Sequence, residues 1–159
     1  MKKSKLFLAG MAALLLTFGL VLAGCPTDGG GGGSSFDGTT LAGTNWVATK
    51  NVPYPFGGDG LSMDTEARLE FSSNTAGTAT RTVTKWNGDW PEEFKSKMEG
   101  MMKADNGAFT STYDAAAKTG TYTLKSGTPG TFTADVGKQT LTAIEVDDGE
   151  AETTVYKLD

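Results

Sequence analysis

Apolar and polar residues alternate along residues 41–159, and this pattern predicts short β-strands. In the segment 66–73, Ala67, Leu69 and Phe71 fall on one face while Arg68 and Glu70 fall on the other, which is the two-residue period of a strand. Turn residues end each segment of this kind. The predicted strands span 44–50, 66–73, 78–86, 108–114, 118–126, 130–136, 139–146 and 150–158.

The later strands carry aromatic and aliphatic residues on one face and threonine on the other. Threonine suits strands and tolerates water, so its face is predicted to point outward. Few charged residues fall on the predicted inner faces, so a ligand held between them is expected to be apolar or amphipathic. The predicted outward threonines are Thr121, Thr123, Thr131, Thr133, Thr140 and Thr142.

Residues 90–104 break the alternation and predict one short helix. Asp89 is placed to cap it, Pro91 fits the first turn and Glu92 completes a capping-box pattern. Asn106 and Gly107 are predicted to end it. Its apolar side chains recur at i, i+4, i+7 and i+8, which is one helical face. They are Phe94, Met98, Met101 and Met102.

Eight antiparallel strands in a domain of this size fit a closed small barrel, whose interior is filled by side chains or holds one small ligand. The fold class is therefore mainly β: an eight-stranded antiparallel barrel with one α-helix lying on the sheet or across the barrel mouth. A signal helix and a disordered Gly/Ser tether are predicted to precede the barrel.

Residues 1–24 have the features of a secretory signal. Lys2, Lys3 and Lys5 form a positive head, residues 6–21 are uncharged and apolar, and small residues follow. An uncleaved membrane helix is the alternative, since 6–24 is nearly long enough to span a bilayer. A glycine tract rather than a stop-transfer charge cluster comes next, which favours cleavage.

The segment Leu22-Ala23-Gly24-Cys25 resembles the lipobox of bacterial lipoproteins. This resemblance implies cleavage between Gly24 and Cys25, a lipid thioether on Cys25 and acylation, as by palmitate, of the new amine. The protein is then expected to be held to a membrane of the cell envelope. Pro26 stands where Asp would signal inner-membrane retention, so we expect the protein to reside at the outer membrane. Either the periplasmic or the surface face of that membrane is compatible with the sequence.

Residues 25–40 are predicted to be a flexible tether. They contain five consecutive glycines followed by two serines, which bury almost nothing. A disordered segment of this length has a root-mean-square reach of about 20 Å. The predicted organisation is therefore a signal peptide at 1–24, a lipidated tether at 25–40 and a barrel domain at 41–159.

Charge and composition exclude several functions. The formal charge is -5 and becomes more negative when the three N-terminal lysines are removed, which disfavours nucleic acid as a partner. The chain has one cysteine and no histidine, so an internal disulfide and Ser-His-Asp or Cys-His catalysis are excluded. No catalytic residue, metal or cofactor is assigned, and an enzyme is not expected.

Acidic residues cluster near the predicted last hairpin, where Asp148 and Gly149 form a turn signal. Calcium could bind such oxygens, but the spacing of a twelve-residue calcium loop is missing. A solvated hairpin tip is the better interpretation. The cluster consists of Asp147, Asp148, Glu150 and Glu152.

The segment Gly43-Thr44-Asn45-Trp46 resembles the Gly-x-Trp signature that opens the first strand of lipocalins, with one extra residue. In that family the Trp packs across the closed end of the barrel, and Trp46 is the matching residue. The whole chain is also similar to small lipocalin-like lipoproteins of spirochaetes, which end near Val-Tyr-Lys-Leu, here residues 155–158. A META-type β domain begins similarly and is the alternative fold.

These features predict a lipid-anchored barrel that binds a small apolar or amphipathic ligand beneath the helix. The alternatives are that the methionine face only completes the core, and that the domain is a structural or protein-interaction module with a solid barrel and an unidentified protein partner. The predicted ligand-binding residues are Trp46, Phe71, Phe94, Met98, Met101, Met102, Tyr113, Tyr122 and Phe132.

Overall fold

The computed structural model describes residues 35–53, 60–147 and 149–159 and shows a closed barrel of eight antiparallel strands. Each strand pairs with the next, and β8 returns to β1. The predicted fold class is therefore confirmed. The strands are β1 (Asn45–Pro53), β2 (Ser62–Phe71), β3 (Ala76–Asn87), β4 (Gly107–Asp114), β5 (Thr119–Thr123), β6 (Pro129–Asp135), β7 (Thr140–Asp147) and β8 (Glu150–Leu158).

The predicted signal segment, Cys25 and residues 26–34 of the predicted tether lie outside the described residues. So does Asp148 in the predicted acidic cluster. Nothing in the barrel therefore bears on the predictions made for them.

Alternation along the strands places the side chains as predicted. In β6, Phe132 and Ala134 are buried while Thr131 and Thr133 are exposed. Threonine rows also cross the strands, since Thr112 aligns with Thr121 and Thr121 with Thr131. Their two-residue spacing keeps the hydroxyls in water while the intervening side chains fill the interior.

The helix α1 (Glu92–Asp105) lies between β3 and β4 and packs along β3. Pro91 is its N-cap, and no side chain caps it by a hydrogen bond, so the predicted cap at Asp89 is wrong. The reason is that Pro91 precedes the first turn instead of entering it. The end at Asn106 is confirmed. In the described part of the chain, no helix is both long and apolar enough to cross a membrane.

Strand pairing is uneven around the barrel. β1 pairs with β2 along its whole length, and β2 pairs with β3 from end to end. In contrast, β8 pairs with β1 at Trp46 and Val47, and β4 pairs with β3 from Ala76 to Ala79. The barrel thus consists of a β1–β3 ribbon and a β4–β8 sheet, joined by two short seams.

Asn106 extends the seam between β3 and β4 by one step. Its side-chain Oδ1 accepts a hydrogen bond from the backbone N–H of Arg81 at 2.6 Å, and its Nδ2 donates to the backbone carbonyl of Arg81 at 3.1 Å. The amide side chain therefore takes the place of a paired backbone unit at the point where α1 ends.

Two apolar clusters fill the molecule. The barrel cluster occupies the end where β1 begins, and the helix cluster lies between α1 and the ribbon. The helix cluster consists of Met63, Trp90, Met98 and Met102, with partly buried Val52, Leu61, Val83, Trp86, Phe94 and Met101. The barrel cluster consists of Phe36, Leu41, Trp46, Leu69, Phe71, Ala79, Phe109, Tyr122, Leu124, Phe132, Ala134, Leu141, Ala143 and Tyr156.

Phe36 closes the end of the barrel, although it falls within the predicted tether, residues 25–40. Its side chain is 3% exposed, and its ring meets that of Trp46 edge-on at 5.3 Å. Gln139 holds its backbone from both sides, accepting from the Phe36 N–H at 2.7 Å and donating to the Phe36 carbonyl at 2.9 Å. The barrel core therefore includes Phe36, which the predicted domain boundary at residue 41 leaves out.

Truncation of Phe36 tests this closure. In the chain 26–159, which contains every described residue, Phe36→Ala is expected to lower the free energy of unfolding by about 3 kcal/mol, because it removes a buried aromatic ring. Urea unfolding followed by tryptophan fluorescence measures this. Ile144→Ala on the outer face, where Ile144 is 40% exposed, is the control and is expected to cost under about 1 kcal/mol. Equal losses would contradict the burial of Phe36.

Candidate functional site

The predicted ligand-binding residues fall into two groups. Trp46, Phe71, Tyr122 and Phe132 belong to the barrel cluster, and Tyr113 packs against it. The remaining residues, which come from α1, belong to the helix cluster: Phe94, Met98, Met101 and Met102. The two groups therefore lie on different levels of the molecule and do not line one shared cavity.

The barrel cluster is filled by its own rings. Phe71 meets Phe109 at 5.1 Å and Phe132 at 5.8 Å between ring centroids, both edge-on, a favoured aromatic geometry. The ring of Phe132 packs directly against the backbone of Gly120. No larger residue fits there, because a Cβ on Gly120 would lie 2.2 Å from Cζ of Phe132. Trp46 is completely buried at this end.

The helix cluster contains two tryptophans, Trp86 and Trp90, that are absent from the predicted ligand-binding residues. The ring of Trp90 lies 5.0 Å from that of Trp86 and 5.3 Å from that of Phe94, and its Nε1 donates to the Ser62 carbonyl at 3.0 Å. Met63 is also buried here. Met63 shares the inward phase of Leu69, but the predicted strand began too late to include it.

Four charged side chains point into the barrel between the two clusters, and we call them the charge quartet. Lys50 Nζ lies 2.9 Å from Glu152 Oε1, and Arg81 Nη2 lies 3.2 Å from Glu145 Oε2. The expectation of few inward charges is therefore wrong, as is a solvated place for Glu152. The inward direction of Glu152 could be predicted from alternation, because Glu152 lies on the same face of β8 as the buried Tyr156.

The quartet joins the two parts of the barrel. Both cations belong to the β1–β3 ribbon and both carboxylates to the β4–β8 sheet. Glu145 and Glu152 are aligned directly across β7 and β8, a position in which like charges repel. Lys50 neutralises Glu152 from the adjacent strand β1, and Arg81 on β3 neutralises Glu145 across the barrel interior, so both ion pairs link the ribbon to the sheet.

Two tyrosines complete the polar layer. The Tyr122 hydroxyl donates to Glu145 Oε1 at 2.7 Å, and the Tyr156 hydroxyl forms a hydrogen bond with Arg81. Burial, reinforced by the charge of Glu145, raises the pKa of Tyr122. Burial also raises the pKa of Tyr156 to about 12. Both hydroxyls are therefore neutral at physiological pH.

The charge of Arg81 is stabilised by its partners inside the barrel. Burial alone would lower its pKa, but the charge of Glu145, with smaller contributions from Tyr156 and Glu152, raises the pKa above its ordinary value. Arg81 is therefore permanently charged, and its counter-charge is supplied across the barrel interior rather than by solvent.

Solvent reaches the quartet, but the space beside it is small. The side chains of Lys50 and Arg81 are 38% and 27% exposed, although both point inward. A cavity of about 10 Å³ lies next to Arg81, Glu145 and Tyr156, which is room for about one water molecule. The polar layer is therefore wet at its edge and closely packed at its centre.

The outer surface has a different chemistry. A shallow open groove of about 500 Å³ crosses β4, β5 and β6 and is lined by five threonines together with Tyr113, Asp114, Gly120 and Phe132. Within the described ranges, no three His, Cys, Asp or Glu residues are grouped to hold a metal. The chemically distinct site of the described molecule is therefore the charge quartet with its two tyrosines.

Comparison with known proteins finds no match for this chain, whether among family models, curated proteins or solved structures. Its function is therefore inferred from the residues and their geometry.

Alkaline unfolding tests the burial of Tyr156. Unfolded tyrosine ionises near pH 10, whereas the folded pKa is raised to about 12. The stability that Tyr156 contributes is therefore complete below about pH 10 and is lost as pH rises toward 12, by up to about 1.4 kcal/mol per pH unit. Tyr156→Phe is expected to flatten this loss in urea unfolding across that range.

The half-buried Tyr113 provides the control for this experiment, since its hydroxyl donates to the Gly38 carbonyl outside the polar layer. Tyr113→Phe is expected to change the pH slope less than Tyr156→Phe does. An unchanged slope in Tyr156→Phe would contradict the deep burial of that hydroxyl.

Proposed function

We propose that the chain is a lipid-anchored protein of the bacterial cell envelope whose lipocalin-like barrel, without catalytic chemistry, binds a small amphipathic ligand at the end covered by α1. The Leu-Ala-Gly-Cys ending of the signal-like segment supports the anchor. The observation that carries the binding role is the solvent-reached charge quartet, which lies directly beneath a methionine-rich apolar wall.

The wall formed by α1 suits an apolar group of variable shape. Met98 and Met102 are buried, while Met101 and Phe94 are only partly buried. Methionine side chains are flexible and polarizable, so they adapt to different occupants. The helix packs along β3, and an apolar tail lying beside it would extend the helix cluster.

The alternative function is that of a structural or protein-interaction module with a solid barrel. Ring-to-ring packing in the barrel cluster and the small volume beside Arg81 favour it. Under this alternative, protein isolated from its own cells carries no small molecule in native mass spectrometry. Under the binding role, a co-purifying amphiphile is detected.

The lipid anchor is tested at Cys25. Cys25→Ser removes the sulfur that would carry the lipid, so we expect no incorporation of radiolabelled palmitate and loss of the protein from the membrane fraction. Two acyl chains hold a protein to a bilayer far more firmly than one, so the shift should be nearly complete. Ser34→Ala, in the same segment, is the control. Unchanged membrane partition of Cys25→Ser would refute the anchor.

Ligand binding is tested with dodecyl maltoside monomers and the chain 26–159. We expect saturable quenching or enhancement of tryptophan fluorescence, because Trp86 and Trp90 belong to the helix cluster. Met101→Glu places a charge in the wall and is expected to weaken binding by about tenfold or more, since burying an unpaired charge is unfavourable. Ile144→Glu, on the outer face, should bind normally. If wild-type protein shows no saturable binding of this or any other twelve-carbon amphiphile, the solid-barrel alternative replaces the binding role.

A further inference from the structure

The charge quartet lies where backbone pairing between the two parts of the barrel ends. Lys50 follows Val47, the last β1 residue paired with β8. Arg81 follows Ala79, the last β3 residue paired with β4. At this level the ribbon and the β4–β8 sheet are linked by the two ion pairs and by Asn106. The ion pairs can therefore exchange partners without breaking a strand ladder, but only from the side on which Lys50 and Arg81 reach solvent, because the space beside Arg81 holds about one water molecule.

Polarity changes in one step along both cationic strands. The next inward residue after Lys50 is Val52, and the next after Arg81 is Val83, and both pack against the helix cluster. Alternate residues of a strand are about 7 Å apart. A charged layer thus adjoins an apolar layer over the distance that separates the head of an amphiphile from the start of its tail.

The quartet is also balanced in charge, with two cations facing two carboxylates. A head group with a single charge would pair with one side and leave an opposite charge uncompensated in a partly buried site, which is costly. An uncharged head group can form no ion pair with the quartet, so it gains nothing from the four charges. A head carrying one positive and one negative group can exchange each internal pair for an equivalent external one.

We propose that the charge quartet recognises the head of a zwitterionic amphiphile. The anionic group of the head pairs with Lys50 and Arg81, its ammonium pairs with Glu145 and Glu152, and its tail lies against the helix cluster. This assignment rests on the proposed binding function and adds to it the chemical class of the ligand.

The test compares four amphiphiles with the same twelve-carbon tail, each used as monomers with the chain 26–159: dodecylphosphocholine, dodecyl maltoside, laurate and dodecyltrimethylammonium. Affinities are read from tryptophan fluorescence and calorimetry. Dodecylphosphocholine is expected to bind about tenfold more tightly than each of the other three, because it alone matches both signs of charge.

Two variants change the preference in opposite directions. Glu152→Gln keeps the shape of the side chain and leaves the quartet with an excess positive charge, so laurate should become the preferred amphiphile. Lys50→Met leaves an excess negative charge, so dodecyltrimethylammonium should become preferred. A merely structural role of the ion pair would weaken all four amphiphiles alike, which makes the direction of the change diagnostic.

The control is the exposed ion pair in which Lys138 Nζ, on the turn after β6, lies 3.2 Å from Oδ2 of Asp135, the last residue of β6. Lys138→Met changes the net charge by the same amount as Lys50→Met and should leave the order of the four affinities unchanged. The proposal is overturned if the four bind equally, or if Lys138→Met alters the order as Lys50→Met does. If dodecyl maltoside binds and dodecylphosphocholine binds no better, only the head-group assignment fails. If none of the four binds, the proposed binding function fails with it.

Discussion

Closing an eight-stranded sheet directs every second side chain into one shared interior, and charged residues in that phase must find partners there. Lys50 and Arg81 on the β1–β3 ribbon meet Glu152 and Glu145 on the β4–β8 sheet. An unpaired charge at this depth would be unfavourable. The ribbon and the sheet are therefore favoured in the arrangement that keeps all four charges paired. These charges also separate the barrel cluster from the helix cluster.

Strands and helix could be predicted from the sequence because alternation and helical periodicity are local. Leu69 and Phe71 reveal the inner face of β2 by themselves, and Thr131 and Thr133 reveal the outer face of β6. The level at which a side chain lies depends on the register between strands, which no local pattern reports. The methionines of α1 and the aromatic rings of the barrel were therefore assigned to one site, although they occupy two. The inward phase of Glu145, shared with Leu141, could have been read from the sequence.

The division of the barrel into two parts distributes distinct roles. The β4–β8 sheet supplies most of the aromatic packing and both carboxylates, and its interior is full. The β1–β3 ribbon supplies both cations and supports α1, whose methionines adapt more readily than rings do. Rigidity is thus concentrated at the end that contains Trp46, and adaptability at the opposite end, where recognition is proposed.

The Gln139 side chain grips the backbone of Phe36 on both sides, while Lys118 and Tyr113 both donate to the carbonyl of Gly38. The polypeptide preceding Phe36 is covalently continuous with this grip. A pulling force applied to that preceding polypeptide would therefore act first on side-chain hydrogen bonds and on the Phe36 ring, before any strand of the barrel bears load. Under such a force, the short segment from Phe36 to Gly38 would detach from the barrel before the strands separate.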